Sequence, residues 1–345
     1  MSVSTNYSSP SLISRSLRLA PGAFLTMAIV IPLASGFLSG QVATPSSSAD
    51  ALFRSGKASA AAGKYQEAED AFRRVYELEP GNIRGIMGLA EVFLQQKKES
   101  DAILLLQLEA DKNVNRPDLR KALGNVLVRT GKYDLAIAEF QKAVDSNGQK
   151  NPEEAADLYT RIGESYRRKG EVNLAIAAFE RARDAAPNQT AALLRIALLL
   201  EGSGKTGPAK AAYEQVLKLQ PDQPVALNNL AYLSAQTGGT GDLEKALDMA
   251  QKARELAPNS PHTADTLGWL YLQKRMNDQA VAAFKEAVRQ ASAADSSIFR
   301  YHLAMALNEK GEASNALEEL QRALKNNASA EVEQQIKELM KRIEH

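Results

Sequence analysis

Three stretches decide how this chain folds: GKYQEAEDAFRRVYELEPGN (63–82), LGNVLVRTGKYDLAIAEFQKAV (123–144) and IGESYRRKGEVNLAIAAFERARDAAPN (162–188). They share one layout, and the layout recurs in both directions along the chain. Aligned on a small residue, eight copies appear, at Gly56, Ala90, Gly124, Gly163, Ala197, Ala231, Gly268 and Ala304, in steps of 34, 34, 39, 34, 34, 37 and 36 residues. A second ladder follows twelve residues behind in seven of the eight copies: Ala68, Ala102, Ala136, Ala175, Ala209, Ala246, Ala280 and Ala316. At Ala246 the insertion GGTGD lengthens the gap by three. A third ladder lies four residues further on: Phe72, Leu106, Phe140, Phe179, Tyr213, Ala250, Phe284 and Leu320.

Self-similarity at this period is the mark of stacked supersecondary units. Glycines punctuate the middle of most copies (Gly63, Gly131, Gly170, Gly204, Gly238, Gly311), and prolines close several (Pro80, Pro187, Pro221, Pro258). Each copy therefore reads as two helices joined at a glycine turn, the second one ended by proline, which lacks an N–H and clashes with the preceding turn. Composition agrees: aromatics are 6% and prolines number 13, in a chain rich in Ala, Leu, Glu, Lys and Gln, all good helix formers. Antiparallel helices approach closely only where small side chains allow it. The Gly/Ala ladder is expected to receive the large residue of the third ladder. One pair cannot bury both its faces, so pairs stack into a solenoid with a concave groove. The C-terminal EVEQQIKELMKRIEH sets Val332, Ile336, Leu339, Met340 and Ile343 on one stripe, as a helix capping the last unit would.

In these ladders the chain resembles the tetratricopeptide-repeat (TPR) family, over residues 49 to 330. Units begin near 49, 83, 117, 156, 190, 224, 261 and 297, residues 44–48 form a linker, and residues 331–345 form the cap. The resemblance implies an all-α, right-handed superhelical α-solenoid of about eight helix pairs. The second unit departs most, with Glu109 where a small residue is expected and no closing proline. The stretch 227–273 resembles a TPR variant found in bacterial envelope and exopolysaccharide-associated proteins.

The first fifty residues differ. Arg15 and Arg18 are their only charges up to residue 48, and an apolar run, AFLTMAIVIPLASGFL (23–38), leads to small and polar residues. This is the layout of a secretory signal peptide over 1–43, with cleavage after Ala43 or Gly36. The other readings are an uncleaved membrane anchor through residues 20–38, for which the run is short, and a disordered tail. The first two place the repeats outside the cytoplasm, periplasmic, secreted or tethered. Net charge is +1, so nothing global points to nucleic acid. There is no cysteine, which removes disulfides, thiolate metal sites and cysteine nucleophiles.

Catalytic signatures dissolve on inspection. GSGKT (202–206) suggests a phosphate-binding loop, but Leu199 stands where that pattern needs glycine, and Gly204 falls on a turn of the repeat ladder. His262, His302 and His345 have no carboxylate or second histidine at metal-ligand spacing. The expectation is a protein with no catalytic residues, no metal and no cofactor.

By the resemblance, the first helix of each unit lines the groove. In units three to five its inward residues include Lys121, Asn125, Arg129, Arg161, Arg168 and Arg195, with Asp118, Asp157 and Glu164 among them. Lys121, Asn125 and Arg195 match three of the five groups with which some TPR domains clamp a peptide carboxylate. Arg161 and Ala191 stand where that clamp has asparagine and lysine. Units six to eight present Val225, Asn228, Asn229, Tyr232, His262, Asp265, Trp269, Leu272, Tyr301 and Met305, a more apolar and aromatic lining suited to a protein segment. Tyr271 is expected in the core. The function implied is a non-catalytic scaffold binding a peptide or protein segment in envelope or secretion-associated assembly. Alternatives are an acidic-peptide or anionic-glycan site in the basic half, serving polysaccharide export, and a non-catalytic subunit of an envelope enzyme complex.

Overall fold

The structure, a computed structural model, describes residues 45–80, 82–147, 151–237, 240–292, 296–326 and 328–344. The leader or anchor expected over 1–43, Gly238 and His345 lie outside the described residues. Every regular element among the described residues is helical. Eight antiparallel pairs follow one another. They are α1 (Pro45–Ala61) with α2 (Tyr65–Leu78), α3 (Arg84–Gln95) with α4 (Glu99–Lys112), α5 (Pro117–Arg129) with α6 (Tyr133–Asn147), and α7 (Pro152–Arg168) with α8 (Val172–Ala185). After these come α9 (Thr190–Gly202) with α10 (Thr206–Leu219), α11 (Pro224–Thr237) with α12 (Thr240–Leu256), α13 (Pro261–Gln273) with α14 (Asn277–Gln290), and α15 (Ser296–Glu309) with α16 (Ala313–Leu324). A last helix, α17 (Ala330–Glu344), packs on α15 and α16.

The helix ends follow from local chemistry. Helices α2, α8, α10 and α12 each stop two residues before a proline. The residue between them is pushed out of the helical region, with φ −134° at Glu79, −135° at Ala186 and −138° at Gln220. Two starts lie earlier than the sequence suggests. Residues 45–48, expected as linker, are the first turn of α1, because Pro45 is pre-set for the first helical position and has no N–H to leave unpaired. Helix α7 begins at Pro152 rather than near 156. There Asn151 caps it, accepting from the Glu154 amide at 3.2 Å, and Glu153 and Glu154 face the positive end of the helix dipole.

The ladders meet in space. A Cβ placed on Gly163 would stand 2.6 Å from the Phe179 ring, and one on Gly268 2.6 Å from Phe284, distances that real Cβ atoms do not show. Gly124 meets Phe140 in the same way. These phenylalanines are fully buried. Each glycine lets its two helices close onto the ring. The core runs from unit to unit, linking each pair to the next. Ile336 and Leu339 of α17 are buried against Leu303, Leu307 and Leu320, covering the outer face of the eighth pair. Tyr271 is half-buried rather than fully in the core, packed beside Leu270 and Phe284 where two clusters join.

A candidate peptide-binding groove

The first helices of neighbouring units lie side by side, α1 with α3, α11 with α13 and α13 with α15. Their shared face carries the expected lining residues, which separate into two chemically different halves.

In the first half, Asn125, Arg129, Arg161, Arg168 and Arg195 surround one cavity of about 420 Å³ on α5, α7 and α9, together with Asp157 and Glu164. The basic residues answer to acids of the same face. Arg161 donates through Nε to Asp157 at 3.0 Å and through Nη1 to the Asn125 side-chain oxygen at 2.8 Å. Lys121 lies 3.5 Å from Asp157 and 3.9 Å from Glu154. Arg168 lies 3.6 Å from Glu164, and Arg129 pairs with Glu91 at 2.5 Å. Arg195 is exposed and donates to the Ala191 carbonyl at 3.2 Å. Hydrogen bonds from Arg167 and Arg129 hold the Glu164 and Glu91 carboxyls, respectively, below the ordinary glutamate pKa, so both stay charged and keep the cations occupied. Arg161, standing where the carboxylate clamp has asparagine, therefore takes up the side-chain oxygen of Asn125. The three clamp-like residues face partners within the chain.

In the second half, Val225, Asn228, Asn229, Tyr232, His262 and Asp265 line a cavity of about 410 Å³ between α11 and α13, with Leu198, Pro224, Ala257, Thr263 and Thr266. Among the described residues no lysine or arginine lines it. Leu198 and Val225 leave 42% and 40% of their surfaces exposed. Single exposed apolar residues are ordinary, but two on one concave lip mark a surface with room for a partner. Asn228 is 7% exposed, and Asn229 is half-buried. Asn229 turns inward: its amide donates to the Tyr213 hydroxyl at 2.8 Å and to Glu201 at 3.1 Å. Tyr213 donates to Glu201 at 2.5 Å, and burial together with that bond raises its phenol well above the usual range, so it remains a donor.

Aromatic rings continue the face. Tyr232 and Trp269 stand 6.3 Å apart, and Trp269 stands 5.6 Å from His302. Trp269 lines a further cavity with Leu272, Gln273 and Met305. With the Gln273 amide oriented to satisfy both neighbours, the indole N–H donates to it at 2.7 Å. Tyr301 packs 5.8 Å from His302 and lines none of these cavities. His302 Nδ1 lies 2.8 Å from Asp265 Oδ1, both 14% exposed. The sequence reading missed this pair because it sought partners at spacings within one helix. The useful signal was the repeat itself: Asp265 precedes Gly268 by three and His302 precedes Ala304 by two, nearly equivalent places in adjacent units. Among the described residues no group of three His, Cys, Asp or Glu is arranged to hold a metal ion. GSGKT spans a turn, with Gly204 at φ +70° between two helices.

Stacked antiparallel helix pairs with a groove along their first helices define an α-solenoid of the protein-interaction kind. One tetratricopeptide-repeat profile matches residues 121–190, 194–261 and 266–331, and a second matches 59–116. The chain belongs to the tetratricopeptide-repeat family, whose repeats generally mediate protein–protein interaction as non-catalytic scaffolds. Among solved structures it is similar to the APC/C hetero-tetramer Cut9-Hcn1, at 17% identity and TM-score 0.54, over 85% of this chain and 55% of that one. The chain thus spans about half the length of that relative. It is also similar to the C-terminal part of a TPR repeat-containing protein from Cytophaga hutchinsonii, at 20% identity and TM-score 0.50, over 69% of this chain and 95% of that one. At such identities the likeness is one of fold. Comparison with curated proteins finds no match.

Proposed function

We propose that this protein is an exported scaffold that holds a peptide or protein segment in its concave groove, within a cell-envelope or secretion-associated assembly. The observation that carries the reading is the uncompensated second half of the groove. Between α11 and α13 it offers an apolar-lipped cavity with polar groups set into it and no cation to demand an acidic ligand. Concave, mostly apolar sites with a few fixed polar groups are the form that binding sites take. The anionic-glycan or acidic-peptide reading draws less support, because most cations of the first half are matched by Asp157, Glu154, Glu164 and Glu91. Export rests on the sequence of residues 1–43, with its paired arginines and apolar run. No helix among the described residues is long and apolar enough to cross a membrane.

The test is site-specific photo-crosslinking in the source cells, with the crosslinker at Val225 on the groove lip or at Glu214 on the outer helix α10, followed by fractionation. The expected result is one protein captured from Val225 and not from Glu214, in the fraction outside the cytoplasm. Equal capture from both positions, or none, overturns the groove reading. Recovery in the cytoplasm overturns export alone.

A further inference from the structure

The charges of the groove balance in one half and not in the other. On α7, Asp157 faces Arg161 and Lys121, and Glu164 faces Arg167 and Arg168. Asp265 on α13 differs. Its side chain is 14% exposed and lines the cavity between α11 and α13. Among the described residues its one hydrogen-bond partner is His302, whose Nδ1 lies 2.8 Å from Oδ1. Oδ2 accepts no hydrogen bond there, and it is not closed off from solvent. A carboxylate withdrawn from water is costly unless it is paired, and His302 balances this charge only when its ring is protonated.

A second carboxylate adds to the same potential. Glu201 on α9 accepts from the Tyr213 hydroxyl at 2.5 Å and from Asn229 Nδ2 at 3.1 Å. Both donors are neutral, and among the described residues Glu201 pairs with no lysine or arginine. Tyr232, on the cavity wall, feels both acids. Burial first, and then the negative charges of Asp265 and Glu201, raise its phenol above the ordinary pKa, against a hydrogen bond with Gln236 that lowers it. Arg254 touches the wall residues Ser260 and Thr263, but it is paired with Glu286 at 3.1 Å and does not line the cavity. His262, the remaining titratable group of the lining, is exposed.

We propose that this cavity takes a basic side chain, lysine or arginine, of the bound segment, and that Asp265 Oδ2 receives its charged N–H. This rests on the proposed groove function and fixes the charge that the groove selects. The match holds along the whole side chain. Its methylene stem suits the apolar lip at Leu198 and Val225. Its cation suits the face of Tyr232, with the Trp269 ring 6.3 Å away. Its N–H groups suit a carboxylate that has an acceptor to spare. An acidic side chain would instead meet Asp265 and Glu201 with no lysine or arginine on the wall to offset the repulsion. A metal ion is a poor match, because among the described residues no group of three His, Cys, Asp or Glu is arranged to hold one.

The experiment uses the full chain and immobilised peptides of random sequence. The expected result is that the tightest binders share a lysine or an arginine. Each basic residue of one binder is then replaced in turn, lysine by norleucine or arginine by citrulline, which keeps the length and removes the charge. One such replacement should weaken binding to the wild type by about tenfold, the scale of one lost hydrogen bond between charged groups. That penalty disappears in Asp265→Asn, which still offers His302 an acceptor. It shrinks without disappearing in Glu201→Gln, which acts through the potential alone. It is unchanged in Glu214→Gln, which removes the same charge from the outer helix α10. Binders without a shared basic residue, binders that are acidic, or a penalty that persists in Asp265→Asn overturn the subsite and leave the groove reading intact. n-Butylammonium binding as tightly as the peptides also overturns it, because the cavity would then serve a free amine. A library without any binder overturns it too, and if crosslinking from Val225 captures nothing either, the groove function itself falls.

Discussion

The ladder residues obey a pairing rule within this one chain. Where the first helix offers glycine (Gly56, Gly124, Gly163, Gly268), the second offers phenylalanine (Phe72, Phe140, Phe179, Phe284). Where it offers alanine (Ala90, Ala197, Ala231, Ala304), the partner is Leu106, Tyr213, Ala250 or Leu320. In three of the four alanine units the added methyl is balanced by a removed ring. Tyr213 keeps a ring opposite alanine, its hydroxyl anchored by Glu201 and Asn229. Gly124→Ala should therefore destabilise the protein by about 1–3 kcal/mol, as overpacking does. Phe140→Leu alone should cost about 1 kcal/mol. The double variant should be more stable than the sum of the two predicts, and urea unfolding of all four proteins reads the coupling. Turn residues give a second case. Five described turns place glycine at positive φ, whereas two place Lys97 (φ 61°) and Arg275 (φ 58°) there. A side chain in that region costs on the order of 1 kcal/mol. Lys97→Gly should raise thermal stability, while Gly131→Ala, at φ 72°, should lower it. If Lys97→Gly is destabilising, chain entropy outweighs the relief of strain.

At the scale of elements, α4 shows what a departure from the pattern means. Glu109 occupies the place held by Val75, Ala143, Ala182 and Val216 in other units, and it is 8% exposed. Burial raises the pKa of its carboxyl. The Tyr76 hydroxyl, donating at 2.8 Å, and Lys112 at 3.0 Å outweigh burial and hold it below the ordinary glutamate value. A carboxylate with a depressed folded pKa contributes stability that is present above its unfolded pKa and lost as the pH falls through the folded one. The wild type should thus lose part of its stability below about pH 4.5, the ordinary value. Glu109→Gln should flatten that acid limb, measured as melting temperature against pH; an unchanged limb would assign it to other carboxylates such as Glu91 and Glu164. The sequence marked Glu109 as a misfit but not as a link between α2 and α4, because its partner Tyr76 belongs to the preceding unit. The same holds for the groove. Asn228, Asn229 and Tyr232 could be placed on one face from helical period alone. That Asn229 turns inward to Glu201 depends on α9 and α10, which lie outside its own helix. Helix period and turn glycine are local and show in the string of residues. Partners 28 or 37 residues away, such as Glu201 for Asn229 and Asp265 for His302, become visible only once the units are stacked.

For the whole molecule, stability is close to a sum of unit and interface terms, so unfolding need not be all-or-none. The ends then matter more than the middle. The last pair is covered by α17, whose Ile336 is fully buried among Leu303, Leu307 and Leu320. Ile336→Ala removes about 2–5 kcal/mol of burial and packing, and in a solenoid that loss falls on its end. Hydrogen exchange should show protection falling first in α17, α16 and α15, with α5 to α8 unchanged. A matching truncation inside the stack, Phe140→Ala, should instead lower protection on both sides of α6, because its neighbours on each side lose an interface. The two patterns separate a linear stack from a globular domain: uniform loss across all helices in Ile336→Ala would mean that the solenoid unfolds as one unit. The outcome bears on function, since the cavity between α11 and α13 lies two pairs from the cap. If the end frays alone, partner binding at that cavity survives Ile336→Ala at temperatures where α17 is already open.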